Sequence, residues 1–235
     1  MTSTSVVLFL SACTTAVIHA LIPDHWLPFV VMSRSQGWNA RRTATLTGLA
    51  GLLHVLMSIL VGGAAIALGT DPARDLASLA GHSLEYLAGA LLFLFGVAYG
   101  VWAHLREARA HGAVSHDSTG SGPASQEEHV HAHGHLLEPW FRRAVSGGAL
   151  VVVIGISPCA LLAPILFAAA AQGAVALAAS AIGFAACTIG TMVCVTLFAR
   201  RGMQRLDLPF FTRFGDLISG ALIGTIGLLV MILEP

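Results

Sequence analysis

The sequence predicts an all-α membrane protein, and two observations support this fold class. The 235 residues are 56% hydrophobic and 10% charged, and their mean hydropathy of +0.79 is far above that of soluble domains. Six apolar stretches are each long enough to cross a bilayer as a helix. A β-barrel is disfavoured, because these stretches are continuously apolar and barrel strands alternate polar and apolar residues.

The six stretches form two halves of three, joined by a polar connection. The first stretch of each half contains two prolines, which interrupt the hydrogen bonding of a helix. An odd number of spans per half gives the halves opposite orientation, so we expect an inverted repeat made of residues 1–103 and 144–235. The stretches are Ser5–Met32, Thr43–Thr70, His82–Ala103, Ala144–Ala171, Ala174–Ala199 and Phe210–Leu233, and the prolines are Pro23, Pro28, Pro158 and Pro164.

The charges predict the orientation of these helices. All twelve basic residues are arginine, and eleven of them lie in the first, third and fifth connections between stretches. Basic residues concentrate in cytoplasmic loops, so we expect a multi-pass protein of the inner or plasma membrane with both termini outside. Leu10–Cys13 matches a lipoprotein-type cleavage site. A secretion signal, however, has basic residues before its apolar run, and none precedes the apolar run here.

The first stretch carries His19, Asp24 and His25 inside an apolar run. Ionisable groups at membrane depth are costly and indicate function. In an unbroken helix, residues five and six apart do not share a face. We therefore expect breaks at Pro23 and Pro28 to bring the three side chains to one polar cavity, with freed backbone carbonyls as further ligands.

The next two stretches add further candidate ligands. His54 lies near the middle of the second stretch, at the depth of the first break. The alternative for His54 is a structural hydrogen bond to a carbonyl of a neighbouring helix. His82 and Glu85 open the third stretch, where they form either an outer vestibule for cations or an ordinary solvated helix start. Gly96, Gly100, Gly220 and Gly224 form two small-xxx-small motifs that indicate helix packing.

The connection formed by residues 104–143 is rich in Gly, Ser, acidic residues and histidine, which predicts a disordered cytoplasmic loop. Alternating histidines in a flexible segment bind divalent ions with modest affinity. We expect this tract to gather or sense cytosolic metal, although solubility alone also accounts for such a composition. The tract consists of His129, His131, His133 and His135.

The second half contributes cysteines in place of histidines. Cys159 follows Pro158 in the fourth stretch, and Cys187 lies near the middle of the fifth. Both are candidates for the same pathway, while the alternative is that each is a small buried apolar residue. The four cysteines form no Cys-x-x-Cys pair, so neither a disulfide framework nor a zinc ribbon is indicated.

Two resemblances follow from these motifs. His19 followed after four residues by Asp24 and His25 resembles the signature of the nickel/cobalt transporter family, and the six spans with a His-rich central loop resemble its efflux permeases. The resemblance implies that these three residues line the metal path. Pro158–Cys159 resembles the thiol–disulfide electron carriers of the same broad superfamily. Those carriers need a cysteine in each half, and here Asp24 stands in the equivalent position.

Together these features predict a transporter and no enzyme. The metal site consists of His19, Asp24, His25 and His54, a ligand set that suits nickel or cobalt, and also zinc. Histidines allow proton coupling, and export is the favoured direction. We expect lipid and the ion as partners, no permanently bound cofactor and no nucleic acid, and the features are compatible with a homo-oligomer. The alternatives are a thiol–disulfide carrier, a permease for another small solute, or an accessory protein of metallocentre assembly.

Overall fold

The structure, a computed structural model, is all-helical as predicted. It describes residues 2–67, 82–114, 138–159, 161–205 and 209–233, and these ranges contain eight α-helices and no strand. The helices are α1 (Ser3–Ala20), α2 (Pro23–Ser35), α3 (Ala40–Ala67), α4 (His82–Val114), α5 (Glu138–Ile156), α6 (Leu162–Ala170), α7 (Ala174–Arg205) and α8 (Pro209–Leu233).

Five of the described helices, α1, α3, α4, α7 and α8, are long and apolar enough to cross a membrane. This agrees with a membrane protein. The predicted fourth span, Ala144–Ala171, is divided between α5 and α6, and the apolar segment of α5, Gly147–Ile156, is shorter than a bilayer requires by itself.

The first break separates α1 from α2. Pro23 is the first residue of α2, where its missing N–H removes no intrahelical hydrogen bond. The indole Nε1 of Trp26 donates to the carbonyl of Leu21 at 3.0 Å and closes the break across the two helices. The prediction of a break at Pro28 is wrong, because α2 continues past Pro28 to Ser35. Packing of α2 on α7 and α8 compensates for the lost hydrogen bond.

The second break separates α5 from α6. α5 ends at Ile156, and the next residue, Ser157, precedes Pro158. A residue that precedes proline is disfavoured in the helical conformation, which explains why the helix ends here. Pro164 does not break a helix as expected, since it is the third residue of α6. The first turn of a helix has no intrahelical partner for its N–H groups, so a proline is tolerated there.

The helices of the two halves pack in a reciprocal pattern. α1 packs on α7 and α5 packs on α3, while α2 contacts α7 and α6 contacts α3. α4 packs on α8 through the predicted glycine motifs: a Cβ on Gly220 would lie 2.6 Å from the nitrogen of Gly100 and 2.7 Å from the oxygen of Gly96. Gly89 in turn approaches Gly227, so the two helices run antiparallel. The predicted packing role of these motifs is confirmed.

Polar contacts join the helices at the end of the bundle that carries the arginines. Gln36 donates through Nε2 to Tyr99 and to Asp216, and the Tyr99 hydroxyl donates to Asp216 at 2.7 Å. Arg200 donates to the carbonyl of Trp38 at 2.8 Å. These contacts fix the residues that follow α2 against α4, α7 and α8.

Both flanks of the predicted loop of residues 104–143 are helical, since α4 continues to Val114 and α5 begins at Glu138. Ala, Leu, Arg and Glu in residues 104–114 favour this extension of α4. The tract from His129 to His135 lies outside the described residues.

Candidate metal centre

His19 lies in the last turn of α1, directly before the first break. Its backbone carbonyl accepts a hydrogen bond from the N–H of Ile22 at 3.1 Å. The break therefore does not leave this carbonyl free, contrary to our expectation that freed carbonyls would add ligands.

His25 is the third residue of α2, and the break brings its ring to that of His19. The ring centroids are 4.6 Å apart, with an edge-to-face angle of 70°. In a continuous helix the two residues would differ by about 240° around the axis, at about 100° per residue. The two imidazoles therefore come together because α1 ends and α2 begins between them.

Asp24 forms a hydrogen bond with its neighbour His25, between Oδ1 and the ring Nδ1. The side chain of His25 is 7% exposed and that of Asp24 is 23% exposed. An ionised carboxylate only accepts, so the pair fixes the tautomer in which His25 carries its proton on Nδ1 and its lone pair on Nε2. Carboxylate–histidine pairs of this kind orient metal-binding imidazoles.

His54 of α3 completes a group of three rings. Its centroid lies 5.6 Å from that of His19 and 5.0 Å from that of His25, and the residue is only 1% exposed. The ring lies beside the backbone of Ile154 and Ser157. Within the described residues, however, neither ring nitrogen of His54 has a hydrogen-bond partner of normal geometry, and the same holds for Nε2 of His19.

Three of the nine buried polar side-chain atoms that lack a partner among the described residues thus belong to this one cluster. Burying a polar group without a partner costs about 1–3 kcal/mol. A structural contact of His54 with the backbone of Ile154 or Ser157, the alternative from the sequence, accounts for the one ring nitrogen that carries the proton, and leaves the other nitrogen and Nε2 of His19. A cation bound by Nε2 of His19 and by the unprotonated ring nitrogen of His54 would satisfy these two atoms together.

The fourth side chain at the cluster is Cys159, from the second break. One ligand atom from each of His19, His54 and Cys159 lies within 4.8 Å of the others. The hydroxyl of Ser58 donates to the carbonyl of His54 at 2.7 Å and accepts the N–H of Cys159 at the same distance of 2.7 Å. Ser58 was not among the site residues predicted from the sequence. Its position one helical turn after His54, on the same face of α3, could have indicated that it lies near the site.

A cavity of about 60 Å³ opens beside the cluster. Its polar lining comes from both breaks and from α3, namely His19, Asp24, His25, Ser157 and His54. Ala88 and Gly89, small residues of α4, form part of the opposite wall. The space is several times the about 10–15 Å³ that one water needs, so an ion with part of its hydration shell fits.

The other candidates lie elsewhere. Cys187 packs at the edge of the apolar cluster around Cys159 and interacts with Cys13 of α1. None of the four cysteines, all of which lie in the described residues, forms a disulfide. His82 and Glu85 are in the first turn of α4, and their side chains lie outside the described residues.

The cluster offers imidazole nitrogens as ligands, with the sulfur of Cys159 nearby and the carboxylate of Asp24 hydrogen-bonded to the ring of His25. Such sites suit zinc, cobalt, nickel or copper, whereas magnesium and calcium prefer oxygen ligands alone. No protein-family model, curated protein or solved structure matches this chain. Any functional conclusion therefore depends on the geometry of the site.

Proposed function

We propose that this protein carries a divalent transition-metal cation across a membrane through a site formed by His19, His25 and His54. The observation that supports the proposal is the convergence of three imidazoles from three helices at a helix break, within apolar helices. Structural histidines would be paired with protein groups. Among the described residues, Nε2 of His19 and both ring nitrogens of His54 have no such partner, and all three histidines line a cavity.

In this proposal Asp24 acts on the ion through His25. Its carboxylate holds the Nδ1 proton, which directs the lone pair of Nε2 to a ligand. This replaces the direct coordination by Asp24 that the sequence suggested. The negative charge of Asp24 also offsets the positive charge of a bound ion in a region of low dielectric.

The arrangement of the helices supports an inverted repeat of three spans per half. In each half a broken first span, α1–α2 or α5–α6, is followed by two long helices. The reciprocal contacts of α1 with α7 and of α5 with α3 support such a repeat, because a pseudo-two-fold relation would exchange them. In such transporters the substrate site lies between broken helices near the midplane, and one half moves against the other to alternate access.

The arginine distribution supports a topology with the arginine-rich ends inside and both termini outside. A Ser118→Cys variant should then react with a membrane-impermeant thiol reagent only after the cells are opened. Reaction in intact cells would reverse the topology.

We propose nickel, cobalt or zinc as the cargo, exported from the cytosol in exchange for protons. Imidazoles that lose a proton when they bind metal couple the two movements. The test is transport in proteoliposomes of nickel, cobalt, zinc and manganese under an imposed proton gradient. We expect gradient-dependent movement of the first three ions and little of manganese. No movement of any of the four would reject the proposal.

The alternative of a thiol–disulfide carrier finds less support in the geometry. Such a carrier needs two cysteines that approach each other across the halves. Cys159, the thiol at the second break, is grouped with two histidines. Cys13 of α1 and Cys187 of α7 do interact across the halves, and this pair is the observation that favours the alternative.

A further inference from the structure

We infer that Cys159 is a ligand of the transported ion and that Ser58 is the residue that positions it; the inference rests on the function proposed above. The three imidazoles come from α1, α2 and α3, whereas Cys159 comes from the unwound segment between α5 and α6. The ion is then bound between the two halves of the chain.

The distances allow this coordination after a small movement. The ligand atoms of His19, His54 and Cys159 are at most 4.8 Å apart. Neighbouring ligands of a tetrahedral ion lie about 3.5 Å apart, given metal–nitrogen bonds of about 2.0 Å and metal–sulfur bonds of about 2.3 Å. The side chains therefore close by about 1 Å on binding, which small side-chain rotations supply.

The surroundings of Cys159 favour a ligand over a core residue. It is 4% exposed and packs on one side against apolar residues, among them Val55 and Leu162. On the other side are the imidazole nitrogens of His19 and His54, which lack partners among the described residues. An apolar shell behind a ligand keeps water from competing for the metal.

Ser58 sets the position of Cys159 relative to His54. Its hydroxyl contacts the backbone of both residues, at 2.7 Å each. The N–H of Cys159 lies outside any helix, so Ser58 supplies the partner that a helix would have supplied. One turn of α3 thus presents an imidazole ligand and the group that holds the sulfur ligand.

Coordination by sulfur limits which metal ions the site can bind. Zinc, cobalt and nickel accept a mixed nitrogen and sulfur set, while manganese and magnesium prefer oxygen. On binding, the ion forms a bond to Sγ, and the thiol proton that it replaces passes to the solvent. No electron transfer is involved.

The test is cobalt binding to the purified full-length protein, followed by absorption. The background carries Ser at His129, His131, His133 and His135, so that the loop tract does not contribute binding. Thiolate-bound Co²⁺ gives an intense near-ultraviolet charge-transfer band that imidazole-bound Co²⁺ lacks. We expect this band in the parent and in the matched control, in which Cys13, Cys187 and Cys194 are all Ser, and its loss in Cys159→Ser.

The role of Ser58 is tested in the same assay. Removing a group that orients a metal ligand costs about 10- to 100-fold in affinity. We expect a loss of this size for cobalt in Ser58→Ala, with recovery in Ser58→Thr, which keeps the hydroxyl. At saturating cobalt the charge-transfer band of Ser58→Ala should also be weaker or shifted, because the sulfur is no longer held in place. An unchanged band at lower affinity would show a merely structural role.

Two further outcomes separate this inference from the proposed function. If the parent binds cobalt without the charge-transfer band, Cys159 is not a ligand and the imidazole site still stands. If the parent binds no cobalt, the proposed function itself fails.

Because Cys159→Ser could disturb folding, X-ray absorption of the zinc-loaded parent provides a second measurement: one sulfur at about 2.3 Å supports the inference, and a shell of nitrogen and oxygen alone overturns it.

Discussion

The two helix breaks differ in the chemistry they carry and in what holds them. The break between α1 and α2 bears His19, Asp24 and His25 and is closed locally by the Trp26 indole. The break between α5 and α6 bears a thiol and is held by Ser58 of another helix. The first break is therefore a self-contained ligand cluster, whereas the second depends on a tertiary contact that a movement of α3 would release.

The difference gives α3 a central position. His54 faces the first break and Ser58, one turn later, holds the second. A displacement of α3 by even part of a turn would change both ligand groups at once. Substitutions on α3 should therefore affect metal binding more than substitutions confined to one break.

The largest effect is expected at His54. His54→Ala removes the imidazole that faces both breaks, so metal transport should fall by more than the about 10- to 100-fold typical of residues that only orient ligands. Uptake assays in proteoliposomes at matched insertion measure this. His104→Ala is the control, because His104 is exposed and lies on α4 away from the cluster. Equal effects of the two substitutions would refute the site.

Asp24→Asn should rank second. It keeps the volume of the side chain but removes the charge that holds the Nδ1 proton of His25. We expect metal affinity to fall by about 10- to 100-fold while helix content is unchanged. Titration calorimetry with nickel measures the affinity. A loss as complete as that of His54→Ala would mean that Asp24 binds the ion directly, as the sequence alone suggested.

Trp26→Phe should have a smaller effect. It keeps the ring but removes the donor to the Leu21 carbonyl, which closes the first break at 3.0 Å. A single hydrogen bond contributes about 0.5–1.5 kcal/mol, so affinity should fall by about 2- to 10-fold. The same calorimetric titration applies. Unchanged affinity would show that Pro23 alone maintains the break.

The smallest effect is expected from the loop. Replacing His129, His131, His133 and His135 together by Ser should raise the metal concentration for half-maximal transport severalfold and leave the maximal rate unchanged, because the cluster at the breaks is untouched. Initial rates over a range of metal concentrations measure both quantities. Loss of the maximal rate would place the tract in the transport pathway.

The first break was predictable from local sequence. Pro23 follows His19 closely and cannot extend α1, so the break and the rotation that it imposes are consequences of a few neighbouring residues. Pro28 and Pro164 show the limit of the same rule. Both lie inside helices, because packing in one case and a first-turn position in the other remove the penalty.

The contacts between segments distant in sequence were not predictable. Ser58 and Cys159 are 101 residues apart, and no local pattern indicates that one hydroxyl joins them. Similarly, the preference of Asp24 for its neighbour His25 depends on side-chain rotamers that spacing does not specify. The sequence indicated which residue types meet at this depth, and the tertiary packing of α3 between the breaks decides which atoms do.

The central claim is that His19, His25 and His54 bind one transition-metal ion. Anomalous diffraction from crystals of the cobalt-loaded protein, recorded on both sides of the cobalt absorption edge, tests it most directly. We predict a single peak per chain at about 2.0–2.2 Å from one nitrogen of each imidazole. A protein that transports cobalt but shows its peak elsewhere, with none among these three rings, would contradict the claim.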